Sequence, residues 1–239
     1  MAQTRVGVRQ RPTSNIITDG LVLHLDAGNT SSYPGTGIDW YDLTNNDNDG
    51  TLLNGASYVT DGGGSISFDG VNDYVNYGDV MNKDGSTPFS VGVTFNADTL
   101  GLVGLISKYK WNSWNGFIVC IISNKIYFLI GNGSNNAILV RGSTTITTGV
   151  YYNIVVTYDG STNASGVNIY VNGVLESMVT SVDNFTGGLS NTDNLTVGAF
   201  SDPTGYFNGN IYSSQIYNRA LTESEIQQNY NTTKGRFGL

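Results

Sequence analysis

The chain has 239 residues, enough for one large all-β domain or two small ones without disulfide staples, and a formal charge of −8 at pH 7 from 11 Lys and Arg against 19 Asp and Glu. Its 31 Gly and 15 Tyr, with only 13% charged residues, describe short strands joined by many turns and exclude long amphipathic helices. The acidic balance argues against a nucleic-acid partner, the single histidine excludes a His-cluster metal site, and the lone cysteine excludes an internal disulfide.

Residues 1–19 read as a basic, extended arm. Arg5, Arg9 and Arg11 fall in a stretch without acids, which suits either a solvated leader or an arm that docks on an acidic partner surface. No apolar core of a secretion signal is visible there, so export by a signal peptide is not expected, nor is membrane insertion, since no apolar stretch reaches the length of a span. "GLVLHLDAG" (20–28) then alternates in period two as a first strand, with His24 as a satisfied strand histidine. Residues 29–54 are rich in turn formers but carry Tyr33, Trp40, Tyr41 and Leu43 as apolar anchors, predicting an ordered loop packed on a sheet.

From "SISFDG" (65–70) to "FNGNIYSSQIYN" (207–218), twelve period-two runs bounded by Gly, Asn, Asp or Ser predict two packed antiparallel sheets. Asn172-Gly173 between alternating apolar residues marks a two-residue hairpin turn, and Cys120 inside "GFIVCII" reads as a buried thiol. Thr222 and Glu225 form a T-x-x-E capping box, with Leu221 and Ile226 as a hydrophobic staple. They predict a C-terminal helix of about two turns, Ile226 and Tyr230 on one face, lying against the edge or back of the sandwich. With no linker in between, residues 20–232 read as one domain, followed by a tail at 233–239.

The segment "SKYKWNSWNG" (107–116) is the candidate recognition surface. Tyr109, Trp111 and Trp114 offer aromatic faces that stack on sugar rings, and Asn112 and Asn115 offer amides for hydroxyls; the same tryptophans could instead pack under the loop or against a neighbouring subunit. Hydrolysis of glycosides needs a pair of carboxylates. The three Glu are Glu176 after a hairpin and Glu223 and Glu225 at the helix cap, and no strand carries Glu-x-Asp or Glu-x-Glu, so an enzyme is not expected.

"FNGNIYSSQIYNRALTESEI" resembles the closing signature of laminin-G-like, concanavalin A-like domains. "ISFDGVNDYVNYG", "FSVGVTFNA", "YYNIVVTYDG" and "VNIYVNGVLE" look like successive strands of the same family, so the resemblance covers roughly residues 20–232. It implies an all-β, two-sheet antiparallel jelly-roll sandwich with one short C-terminal helix. It also implies a structural calcium, for which Asp26 and Asp69 are the candidate ligands, although Gly209-Asn210-Ile211-Tyr212 stands where the family frequently has Gly-x-Ile-Asp. The opening, with "LDAGN", "SYPG" and W-x-D-L, is similar to laminin-G-like proteins of tailed phages of aquatic bacteria. That likeness implies a non-enzymatic virion protein, assembled in the host cytoplasm and displayed as a capsid decoration or a fibre or tail appendage. Its partners would be other virion proteins, further copies of itself and a host-surface glycan. The alternative is a soluble carbohydrate-binding lectin domain.

Overall fold

The computed structural model describes residues 16–110, 113–133, 136–189, 191–202 and 204–238. Strand β1 (Leu21–Asp26) is followed by the short strands β2 (Asp39–Trp40), β3 (Gly50–Leu53) and β4 (Ser57–Val59), then β5 (Ser65–Asp69) and β6 (Tyr74–Asn76). The long strands β7 (Phe89–Ala97), β8 (Val103–Lys110), β9 (Asn115–Ile122) and β10 (Lys125–Asn132) come next, with β11 (Ala137–Arg141) and β12 (Tyr151–Tyr158). The chain closes through β13 (Val167–Val171), β14 (Val174–Leu175), β15 (Val179–Asp183), β16 (Thr196–Val197), β17 (Asn208–Tyr217) and the helix α1 (Glu223–Thr233).

The first sheet runs β14-β13-β12-β7-β17-β5-β4, with β1 also paired to β17, and the second runs β15-β11-β10-β9-β8-β16-β6-β3-β2. The pairings within both sheets are antiparallel among the described residues. The architecture is thus the two-sheet sandwich read from the alternation, and each of the twelve runs from residue 65 onward contains a strand. One run is divided: "VLESMVT" gives β14 to the first sheet and β15 to the second, because the chain crosses between sheets within it.

Alternation fills the space between the sheets. Val91, Val93 and Phe95 of β7 and Ile154 and Val156 of β12 face Ile106, Phe117, Val119, Phe128 and Ile130 of the second sheet, all in one buried cluster. Phe89 joins the layers, its ring 5.0 Å from Phe117 and 6.1 Å from Phe128. The other face of the second sheet carries its own cluster of Tyr109, Ile118, Cys120 and Leu129 under Phe200. Burial there pushes the Cys120 thiol up to about 12, which keeps it protonated and inert.

The expected loop at 29–54 instead contributes β2 and β3, the far edge of the second sheet. Trp40 and Tyr33 are buried as anchors, whereas Tyr41 stays exposed. Asp42 fastens the segment: its Oδ1 accepts from the His24 amide at 2.9 Å, while its own amide donates to Asp49 Oδ1 at 2.8 Å. At the β13–β14 hairpin, Asn172 and Gly173 have φ of 51° and 77°, the left-handed pair that such a two-residue turn requires.

Helix α1 spans 11 residues, about three turns rather than two, and its capping box is complete. Leu221 and Ile226 close over Val155, Tyr170 and Tyr217, so the helix covers the outer face of the first sheet. Arg219 grips Glu225 with two hydrogen bonds, at 2.9 and 2.7 Å, and holds its carboxyl down at about 2. Residues beyond the helix, read as a tail, pack against the domain: Phe237 lies 5.2 Å from the Tyr151 ring and 5.0 Å from that of Tyr212. On the other side Ile17, within the segment read as an arm, is tied down by Asn229 and Tyr217; Arg5, Arg9 and Arg11 lie outside the described residues.

Thr222→Ala is expected to cost about 1 kcal/mol in denaturant unfolding through loss of the cap. The Glu225 pKa is depressed on folding, so its contribution is full above the unfolded value of 4.5 and lost as pH falls toward about 2. The stability gap between the native chain and Glu225→Gln should therefore be constant near neutral pH and shrink through that acid window; a gap independent of pH would contradict the assignment.

Candidate functional site

A pocket of about 260 Å³ opens at the end of the sandwich where β8 turns into β9. Lys108 of β8 pairs with Phe117 of β9, so its side chain points to the core side of the second sheet. A lysine there needs an anion, because stripping water from an ammonium is costly. Lys108, 3% exposed, finds it in Asp79 Oδ1 at 2.7 Å and also donates to the Asp193 carbonyl at 2.5 Å. The ammonium in turn holds the Asp79 carboxyl below the usual range. Asp79 is 40% exposed, so the pair is half open to solvent at the pocket's mouth.

Met81, Phe117 and Leu189 give the pocket an apolar wall, and Asn82, Lys83, Asn191 and Thr192 give it a polar one. Asn191 donates through Nδ2 to the carbonyls of Lys108 at 3.2 Å and Asn115 at 3.1 Å, stitching the hairpin at its end. With the amide nitrogen committed, its buried Oδ1 has no partner among the described residues. Gly116 makes this closeness possible: φ is +111° and a Cβ would stand 1.8 Å from the Lys108 carbonyl. Lys83 is half-buried, and desolvation lowers its pKa against the opposing influence of Asp84.

Of the recognition segment read from the sequence, Lys108 and Gly116 line this pocket, whereas the described candidates Tyr109, Trp114 and Asn115 do not. Tyr109 is fully buried in the cluster on the opposite face of the second sheet, a correction to its reading as a sugar platform. Its register explains this: Tyr109 and Lys108 alternate, and the lysine takes the pocket side. Trp114 is half-buried against the same cluster with φ of +53°, Asn115 gives its carbonyl to Asn191, and Trp111 and Asn112 lie outside the described residues.

A sequence profile of the concanavalin A-like lectin/glucanases superfamily matches residues 69–227. The chain belongs to that superfamily. No curated protein sequence matches it. Among solved structures it is similar to the binding domain of Paraclostridial mosquitocidal protein 1, with a TM-score of 0.68 at 15% identity over 89% of this chain and 52% of that one. The binding domain of botulinum neurotoxin DC, solved in complex with rat synaptotagmin II, gives 0.67 at 16% identity over 90% and 52%. Domain 4 of AbnA, a GH43 extracellular arabinanase of Geobacillus stearothermophilus, solved in complex with arabinotriose, gives 0.59 at 20% over 88% and 98%. The chain therefore spans about half the length of the toxin binding domains it matches.

The superfamily resemblance brought calcium with it, and the residues do not fit the ion. Asp26 Oδ1 receives the Arg236 guanidinium at 2.5 Å, and the same guanidinium donates to the carbonyls of Gly62 and Gly64. One carboxylate and two carbonyls are the oxygens a calcium ion would take, and here a side-chain cation occupies them. Asp69 spends Oδ1 on its own turn, accepting from the Val71 amide at 2.7 Å. Among the described residues no cluster of three His, Cys, Asp or Glu side chains is poised for a metal.

The sequence reading missed Lys108, Asp79, Lys83 and Asn191. One signal was available: a lysine between "GLVGLIS" and Tyr109 stands within a mostly apolar run, of which residues 103–109 are buried. On this account the melting temperature should not respond to EDTA or to added calcium. Arg236→Ala should cost about 2 kcal/mol, a fall of roughly 4–8 °C, by stranding Asp26 and two carbonyls. A large EDTA effect on the native chain would refute the arginine assignment.

Proposed function

We propose that this domain is a non-catalytic carbohydrate-binding module whose ligand enters the pocket beside the Lys108–Asp79 pair. The observation that carries the reading is the pocket's make-up: an apolar wall for the C–H face of a ring, amide and hydroxyl groups at the rim, and one partly exposed carboxylate. Its volume falls a little under the roughly 300–1,000 Å³ of drug-sized ligand sites, which suits one sugar ring. Among the described residues Asp79 is the single acidic one lining it, and its charge is spent on Lys108, whereas a glycosidase needs one carboxyl as acid and a second as nucleophile or base. Glu176 is occupied by Ser143 and Thr144, and Glu225 by Arg219 and the helix cap.

Similar folds serve saccharide recognition elsewhere: the AbnA domain was solved with arabinotriose, and a botulinum neurotoxin DC binding domain with SialylT. At this level of identity they support the reading through the fold alone. We place the module on the surface of a phage particle, as decoration or appendage, contacting other virion proteins or further copies of itself and binding a host glycan. The likeness of its opening segment to laminin-G-like phage proteins supports that placement. Among the described residues no helix is long and apolar enough to cross a membrane.

A glycan panel probed with the full chain tests the binding reading. The double variant Asn82→Ala/Thr192→Ala removes two exposed rim groups and should weaken the best ligand about ten-fold while leaving the melting temperature unchanged. Equal affinity of variant and native chain would move the site elsewhere. Peptide mass spectrometry of purified particles tests the placement, which predicts many copies per particle and fails if the protein is absent from them.

A further inference from the structure

We infer that the pocket selects a saccharide bearing an anionic group, a carboxylate or a sulfate, which seats against Lys83 while a ring hydroxyl donates to Asn191. This rests on the carbohydrate-binding reading and names the ligand class.

Charge is the first argument. Among the described residues the pocket is lined by two cations, Lys83 and Lys108, and one carboxylate, Asp79, so one positive charge is left over in a chain whose total is −8. Asp79 is assigned to Lys108 by the 2.7 Å contact. Among the described residues Lys83 has no such ion pair. Its sequence neighbour Asp84 is turned away to cap its own bend, accepting from the Ser86 amide at 2.9 Å and the Thr87 hydroxyl at 2.6 Å. Lys83 is thus a partly desolvated ammonium beside a cavity, and desolvation raises the attraction of a cation for any anion that enters.

The second argument is the orphan acceptor. Asn191 Nδ2 lies between two carbonyls, which fixes the amide's orientation and leaves Oδ1 buried with no donor among the described residues. A buried oxygen of this kind is satisfied by a hydroxyl and repels an anion. The site therefore asks for an anion at one point and a hydroxyl at another, and a simple inorganic anion supplies only the first. Met81 and Leu189 line the same pocket and offer it an apolar surface that a sugar ring can cover. Neutral sugars would leave Lys83 uncompensated, which sets the preference.

The test uses the full chain on a panel of neutral, carboxylated and sulfated glycans. The best carboxylated ligand is then compared by calorimetry with its methyl ester, and the best sulfated one with its desulfated form. The acidic member of a pair should bind at least ten-fold tighter than its neutral partner. Lys83→Gln should abolish that ratio by bringing affinity for the acidic member down toward that of its neutral partner, without lowering the melting temperature, since among the described residues Lys83 makes no ion pair to lose. Whichever pair shows the ratio identifies the anion. Binding confined to neutral glycans, or an equal loss for both members on Lys83→Gln, overturns this inference and leaves the carbohydrate-binding reading standing. Binding to no member of the panel removes both.

Discussion

The structure depends on where β17 lies. The last strand of the chain is hydrogen-bonded to β7 along one edge and to β5 and β1 along the other, so the centre of the first sheet is not closed until the C-terminal segment arrives. Until then β5 and β7 have no shared neighbour, and the apolar faces of Phe95 and Ile66 have no complete layer to pack in. Contacts of such long sequence separation exact their loop-closure entropy before they return any burial energy. The helix and the segment beyond it extend the same logic, since Ile17 and Asn229 join the two ends of the described chain over the outer face of that sheet.

Arg236 supplies from the chain itself the cation that one corner of the fold calls for. Gly62, Gly64 and Asp26 present converging oxygens, and such a corner is unstable without positive charge. A guanidinium supplies the charge from the chain itself, with planar donors that reach a carboxylate and carbonyls together. Gly28 leaves the room, for a Cβ there would come within 2.5 Å of the guanidinium. The Tyr151, Tyr212 and Phe237 rings close over the same corner, so Tyr212 takes part in holding the arginine's segment in place.

At the other end of the sandwich the Lys108–Asp79 pair does different work. A hydrophobic residue at 108 would pack against Phe117 with less desolvation cost, so the ion pair is weak evidence for stability. It instead keeps a polar, hydrated mouth in a layer that is otherwise apolar, and Gly116 and Asn191 hold the hairpin end tight enough to define that mouth.

Period-two alternation determined the strands by itself, because side chains on a pleated strand must alternate whatever the strand pairs with, and each run from "SISFDG" onward contains one. The capping box and the Asn-Gly turn were likewise local, set by hydrogen bonds and φ within a few residues, so Thr222, Glu225, Asn172 and Gly173 could be read directly. Register and sheet membership were not local. Whether Tyr109 or Lys108 faced the pocket hung on pairing with β9, and a shift of one residue exchanges the faces. The 29–54 segment read as a loop since its strands are only two and four residues long and exist through pairing with each other and with β6. Asp26 carried no local sign that its partner would be a guanidinium 210 residues away. Sequence set the elements through short-range sterics, and tertiary structure alone decided the site, since charges brought together across the chain leave no mark on the segments that carry them.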